Sequence, residues 1–363
     1  MKRSTSAKRW TLLTFGAPLL SAVGLAAQTP TFTVQLLGKL SSDESAYVYG
    51  INDAGEAVGQ VGVLLNGNPS PACPYECAVI WHDGTPTKLE IEVSYASEAY
   101  AINNSGQIVG DVFTAGSELG KAVVWNNGSP TLLPSPAPQY TITVAISIND
   151  AGQVVGYAAI SDESEQAIEW NGVTPTVLGT TCAGSSIATS VNRDGIIVGV
   201  TLCPPINGPY NRLATVWLGT TPTLLSRGGF HPKANAINNA GLIVGESLYG
   251  ATAWVGGVVT LLGGSMATAV NDLGVIVGKA QENGLYHAAL WSDVSAAPQD
   301  LNTLIGEADR KYVLTEATGV NGSCTIVANG YLRNDPYNSA AFLLKLTDPS
   351  SCGNGVLAQK PKY

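Results

Sequence analysis

Side chains able to carry acid–base or metal chemistry are few in this chain, and they are scattered. Three histidines occur among 363 residues. His82 follows a tryptophan and heads a turn, and His287 stands just before an Ala-Ala-Leu-Trp strand; both read as solvated positions. His231, in Ser226-Arg227-Gly228-Gly229-Phe230-His231-Pro232, is the strongest of the three, yet one imidazole without a placed nucleophile and carboxylate makes no triad. Two acidic groups, Glu90, Glu92 and Glu98, and Glu307, Asp309 and Glu316, come nearest to an acid–base set. Glycoside hydrolysis would need two carboxyls about 5–10 Å apart. Asp53, Asp150 and Asp272 recur in register, but Asn104, Arg193, Asn239 and Gly322 hold the same position elsewhere, so turn chemistry explains them better than a carboxylate ring. The run Asp162-Glu163-Ser164-Glu165 lacks the order of a calcium loop and reads as a solvated tip. No nucleophile elbow, His-Glu-x-x-His or phosphate-binding glycine loop is present. The sequence thus implies no catalytic set, no metal and no cofactor.

What positions these residues is a repeat. The segments GINDAGEAVG, AINNSGQIVG, SINDAGQVVG, SVNRDGIIVG, AINNAGLIVG and AVNDLGVIVG are one unit, and GVNGSCTIVA is a degenerate seventh. Their asparagines are Asn52, Asn103, Asn149, Asn192, Asn238, Asn271 and Asn321, spaced 33 to 51 residues apart. Each copy continues into Ala-x-x-Trp, from Ala78–Trp81 to Ala288–Trp291, with Phe342 at the Trp position of the seventh. A Pro-Thr-Leu-Leu-like run then follows in most copies. Four short strands set off by turn residues make one propeller blade. The predicted fold is therefore all-β, a β-propeller of seven four-stranded blades.

The repeated positions have physical reasons. Ile or Val precedes every Asn, the β-branched type suited to packing between sheets. Gly, Ala or Ser stands two before it, as a crowded centre requires. Asn followed three residues later by Gly is hairpin chemistry, since Gly accepts the left-handed backbone. A second Gly, seven after each of six asparagines, is expected to make room for a bulky neighbour, the third-strand Trp. The Trp side chains themselves read as packing between blades. The Asn-to-aromatic distance varies from 16 to 29 residues, which puts length variation in the loop between strands two and three. That loop and the connection between blades share one face of the disc, the expected ligand face.

The ends predict closure. An orphan strand, Thr31–Gly38, matches a fourth strand, and the seventh copy stops after its third, Ala341–Leu346, so the first strand completes the last blade and removes a sheet edge. Six cysteines fit three bridges, Cys73 with Cys77, Cys182 with Cys203 and Cys324 with Cys352, each pair falling on one face. Lys2, Arg3, Lys8 and Arg9 ahead of an apolar stretch ending at Ala26-Ala27 read as an export signal. The expected organisation is a signal over 1–27, one propeller over 28–347 and a tail over 348–363, secreted or periplasmic, with no later membrane span. A net charge of -9 and only 12% charged residues argue against nucleic acid as a partner.

The units resemble the HAF family of extracellular repeats, whose hallmark is A-x-x-I-N-D-x-G-x-V-V-G followed by A-x-x-W. The resemblance covers nearly all of the expected mature chain, about residues 48 to 346 by repeat register, and departs at Cys324 and Ala328 of the seventh copy. It implies a secreted β-repeat protein and brings no catalytic residues. Three functions stay open: a monomeric binding or scaffold module for a glycan or protein, a polysaccharide-active enzyme, and a purely structural envelope component. For the first, Tyr75, Tyr95, Tyr140, Tyr210, Arg212, Phe230, His231 and Tyr312 are the candidate contacts, all expected in the loops of the ligand face.

Overall fold

Each repeat folds as a hairpin because its Asn closes the turn from within. In the second copy the Asn103 Oδ1 accepts from the N–H groups of Ser105 (3.1 Å) and Gln107 (2.9 Å), while Gly106 takes φ 75°. The seventh copy has Cys324 at the glycine position, held at φ 58° and tied by a disulfide to Cys352. A computed structural model describes residues 31–41, 44–62, 73, 75–91, 94–114, 119–160, 165–204, 211–226 and 229–352. The expected signal therefore lies outside the described residues, as do 353–363 of the tail.

The hairpins extend into seven antiparallel sheets of four strands, the predicted propeller. Blade one is Ser45–Ile51, Ala57–Gly62, Glu76–His82 and Thr85–Lys88 from centre to rim. Blades two to six begin with Ser94–Ile102, Ile142–Ile148, Ser185–Val191, Lys233–Ile237 and Met266–Val270. Blade seven takes Tyr312–Val320, Ile326–Leu332 and Asp335–Leu346 from its own repeat, and Phe32–Leu36 as its outer strand, in register Phe32 to Leu346. The ring is closed as expected. No helix among the described residues is long and apolar enough to cross a membrane. All three disulfides join the predicted partners.

The second repeated glycine has a different reason from the one expected. Every inner strand carries a β-bulge just before its Asn, as between Ala145 and Ser147. The bulge pushes the inner backbone against strand two. A Cβ on Gly156 would sit 1.9 Å from the Val144 carbonyl oxygen, and Gly59, Gly110, Gly199, Gly245 and Gly278 repeat the clash. The glycine thus accommodates backbone, not tryptophan. The tryptophans do seal blade to blade, and they also staple the connections. Trp81, Trp170, Trp217, Trp254 and Trp291 are buried and donate their indole N–H to the carbonyls of Gly38, Pro134, Gly179, Ser226 and Leu262 at 2.7–2.9 Å.

Candidate functional site

The seven inner strands surround a channel of about 360 Å³. At one end the Asn side chains form a continuous ring. Each Nδ2 donates to the main-chain carbonyl of the next blade's Asn, from Asn52 to Asn103 (3.3 Å) round to Asn321 back to Asn52 (3.0 Å). Outside it, Asp53, Asn104, Asp150, Asn239 and Asp272 accept from the neighbouring turn's N–H or amide, so the recurring carboxylates clamp blades together. Further in, the bulged residues differ between blades. Thr189, Asn235, Thr268 and Thr318 each donate to an inner-strand carbonyl of the next blade, whereas the same position is Tyr49, Tyr100 and Ile146 in blades one to three, where it lines the channel.

Behind Tyr100 lies an acidic knot. Glu98 and Asp111 are direct cross-strand partners in blade two, so their side chains leave the same face of the sheet. The Tyr100 hydroxyl donates to Glu98 Oε2 at 2.7 Å, and the Gln60 amide donates to both Glu98 oxygens at 3.1–3.2 Å. Asp111 is 3% exposed, and its Oδ1 finds no hydrogen-bond partner among the described residues. Burial, then the Glu98 charge, pushes the Asp111 carboxyl up to about 7; burial also raises Glu98 and drives both Tyr49 and Tyr100 far above an ordinary phenol. Among the described residues of the two acidic groups read from the sequence, Glu98 alone has a carboxyl directly opposite it across a strand pair. That partner, Asp111, was not singled out.

On the loop face, three of the eight candidate contacts do come together, between blades four and five. Arg212 Nη2 binds Glu246 Oε1 at 3.1 Å, and the Arg212 N–H reaches His231 Nδ1 at 3.4 Å. Lys233 stands beside this pair, its pKa lowered by burial and by Arg212 against the pull of Glu246. Phe230 next to it is 62% exposed and meets Tyr249, 61% exposed, edge to face with centroids 6.3 Å apart. His231 holds φ 55° and the Phe230 carbonyl accepts from the Leu248 N–H, which fixes both aromatic-bearing segments. The product is an apolar shelf beside a charged fork.

The other candidates separate. Tyr75 is exposed on the loop face. Tyr210 lies outside the described residues, as does the side chain of Tyr95, whose backbone belongs to Ser94–Ile102 and not to a loop. Tyr140 is half-buried against the core of blades two and three. Tyr312 is core as well, packed on Phe342 with centroids 5.0 Å apart, because it opens an inner strand rather than a loop. The sequence reading missed Tyr249, exposed at the turn between strands two and three, and Tyr286 and Tyr337, exposed near the start of the third strand. A signal exists: Pro-Tyr or Leu-Tyr occurs in five copies between the second repeated Gly position and the third-strand aromatic, at Tyr75, Tyr210, Tyr249, Tyr286 and Tyr337.

No protein-family model and no curated protein sequence matches this chain. Solved structures do. The β-propeller domain of the Trilobed protease from Pyrococcus furiosus superposes with TM-score 0.54 at 13% identity, over 87% of this chain and 98% of that one. Acylaminoacyl peptidase from Pyrococcus horikoshii (TM-score 0.48, 12% identity, 84% of this chain) is matched over 53% of its own length. TolB from Acinetobacter baumannii follows at TM-score 0.40 and 11% identity, over 70% of this chain and 62% of that one. The likeness is one of fold alone.

Proposed function

We propose that this protein is an exported carbohydrate-binding propeller that holds its ligand on the face of the loops between strands two and three. The observation that carries the reading is the exposed Phe230–Tyr249 pair beside the Arg212–Glu246 fork. A sugar ring presents an apolar C–H face and a rim of hydroxyls, and this arrangement offers a partner for each. The neighbouring tyrosines sit singly at separate hairpin tips, which suits a chain of sugar units better than the continuous apolar core of a protein interface. Several weak sites on one rigid disc would then act by avidity. Three disulfides support a periplasmic or extracellular location, and the net charge of -9 supports a partner other than nucleic acid. Membership of the HAF repeat proteins is likewise our proposal, resting on the six clear copies of the segment.

A glycan array with the purified protein tests this, followed by titration of the double variant F230A/Y249A. Saturable binding that weakens at least about tenfold in the variant is expected. Silence on every glycan, or binding that the variant leaves unchanged, overturns the reading; the same loss against a protein ligand would reassign the partner. The Glu98–Asp111 pair favours a second reading, a polysaccharide hydrolase whose acid and base lie behind Tyr100 of the channel lining. Sugar release abolished by E98Q would establish that one, and its absence would remove it.

A further inference from the structure

Blade six departs from the repeat at its rim. Where blades one, three and four end on a Thr-Pro-Thr strand and blade two on Ser-Pro-Thr, its outer strand is Gln299–Asp300 alone, followed by the short helix Leu301–Leu304. The position opposite Ala289 is consequently Asp300, where the matching position of blade two, opposite Val123, is Leu132. This substitution of a carboxylate for an apolar side chain sets it beside His287 of the third strand.

We propose that Glu282, His287 and Asp300 form a binding site for zinc. Asp300 Oδ2 lies 2.7 Å from His287 Nδ1, Glu282 Oε2 lies 3.6 Å from the same nitrogen, and the three ligand atoms fall within 4.8 Å of one another. A tetrahedral zinc with bonds of about 2.0–2.1 Å separates its ligand atoms by roughly 3.3 Å, a value the two contacts bracket. One imidazole and two carboxylates leave a fourth position for water. The support behind the ligands is in place. Asp300 Oδ1 accepts from the N–H (2.8 Å) and Nδ2 (2.9 Å) of Asn302, which orients Oδ2 toward the histidine. His287 and Asp300 are mostly covered, with side-chain exposures of 23% and 15%, while Glu282 at 55% is free to swing in. Bound zinc would cross-link three strands of one blade and fix the hairpin that carries Tyr286. The site stands apart from the sugar-binding reading and is tested separately.

The full-length protein, stripped with chelator, is titrated with zinc chloride by calorimetry and melted with and without the metal. One zinc per chain and a raised melting temperature are expected. H287A should abolish binding. E282Q, altering an exposed side chain that leaves folding intact, should weaken it by about tenfold or more. H82A, which removes an imidazole 3.2 Å from Glu56 and outside the cluster, should bind as the parent does. No saturable binding below about 1 mM, or binding indifferent to both H287A and E282Q, overturns the proposal.

Discussion

Replacing Asp111 by Asn should stabilise the protein above neutral pH and have a smaller effect in acid. The carboxyl is 3% exposed, faces Glu98 across the inner hairpin, and has one oxygen without a hydrogen-bond partner among the described residues. Burial and the Glu98 charge hold it at about 7 against an ordinary 3.8. Between these two values the folded chain binds a proton that the unfolded chain has lost, so stability falls as pH rises through the window. Once Asp111 is ionised the penalty is complete, roughly 4 kcal/mol at 1.36 kcal/mol per pKa step. Asn keeps the shape and never ionises. Guanidinium unfolding at pH 5 and pH 8 should therefore show the parent losing stability with rising pH and D111N losing much less. With Asn equivalent to the protonated carboxyl, the variant should lead by about 1.6 kcal/mol at pH 5 and by roughly 4 kcal/mol at pH 8. Glu98 is raised for the same chief reason, so E98Q should flatten the profile too, and the double variant should gain less than the sum because each charge feeds the other. Asp293 and Asp348 do not interfere, since hydrogen bonds from Ser295 and Ser350 lower their pKa values and put their effect in the more acid range. A parent whose stability is flat or rises from pH 5 to pH 8 would refute the account of the knot.

Gly156→Ala places a methyl 1.9 Å from the Val144 carbonyl oxygen, with backbone rather than a yielding side chain in the way. It should lower stability by several kcal/mol, far beyond the usual glycine-to-alanine change, as thermal melts would read. Trp170→Phe removes an indole N–H that binds the Pro134 carbonyl at 2.8 Å, whereas the Trp125 Nε1 has no partner among the described residues. W170F should therefore cost about 1–2 kcal/mol more than W125F in denaturant unfolding.

The frame of the disc was legible because it is repeated. Strand number, turn position and ring closure each follow from residues that recur at one register, and the Asn that seals its own turn also binds the next blade, so selection on one geometry marks seven places at once. The glycine of strand two was found for the same reason but explained wrongly. A bulge leaves no residue type of its own in sequence, and the side chain it frees at positions 49, 100, 146, 189, 235, 268 and 318 is Tyr, Tyr, Ile, Thr, Asn, Thr and Thr. Tyr312 was misplaced because the inner strand of blade seven begins earlier than its neighbours, through a second bulge between Leu314 and Glu316.

The candidate chemistry sits where the copies disagree. A blade position that only has to pack can be filled the same way seven times, so a departure from the common residue shows that something other than packing acts there. Glu98 stands where Val144 and Ile187 stand in the following blades, Asp111 where Val200 stands, and Asp300 where Leu132 stands. Blades three and four keep the Glu98–Asp111 pair of positions uncharged, with Val144–Tyr157 and Ile187–Val200, whereas blades five and seven hold Lys233–Glu246 and Glu316–Asn329 there and blade one holds Lys88 at the Asp300 position. What sets Glu98–Asp111 apart is that both members are carboxyls, at a cost in desolvation. Comparing copies for what they share reveals the scaffold and hides these three residues. Their partners, Tyr100 and His287, acquire meaning only once the strands are paired, because Glu98 reaches Asp111, and Asp300 reaches His287, across hairpins whose register the bulges and turns decide.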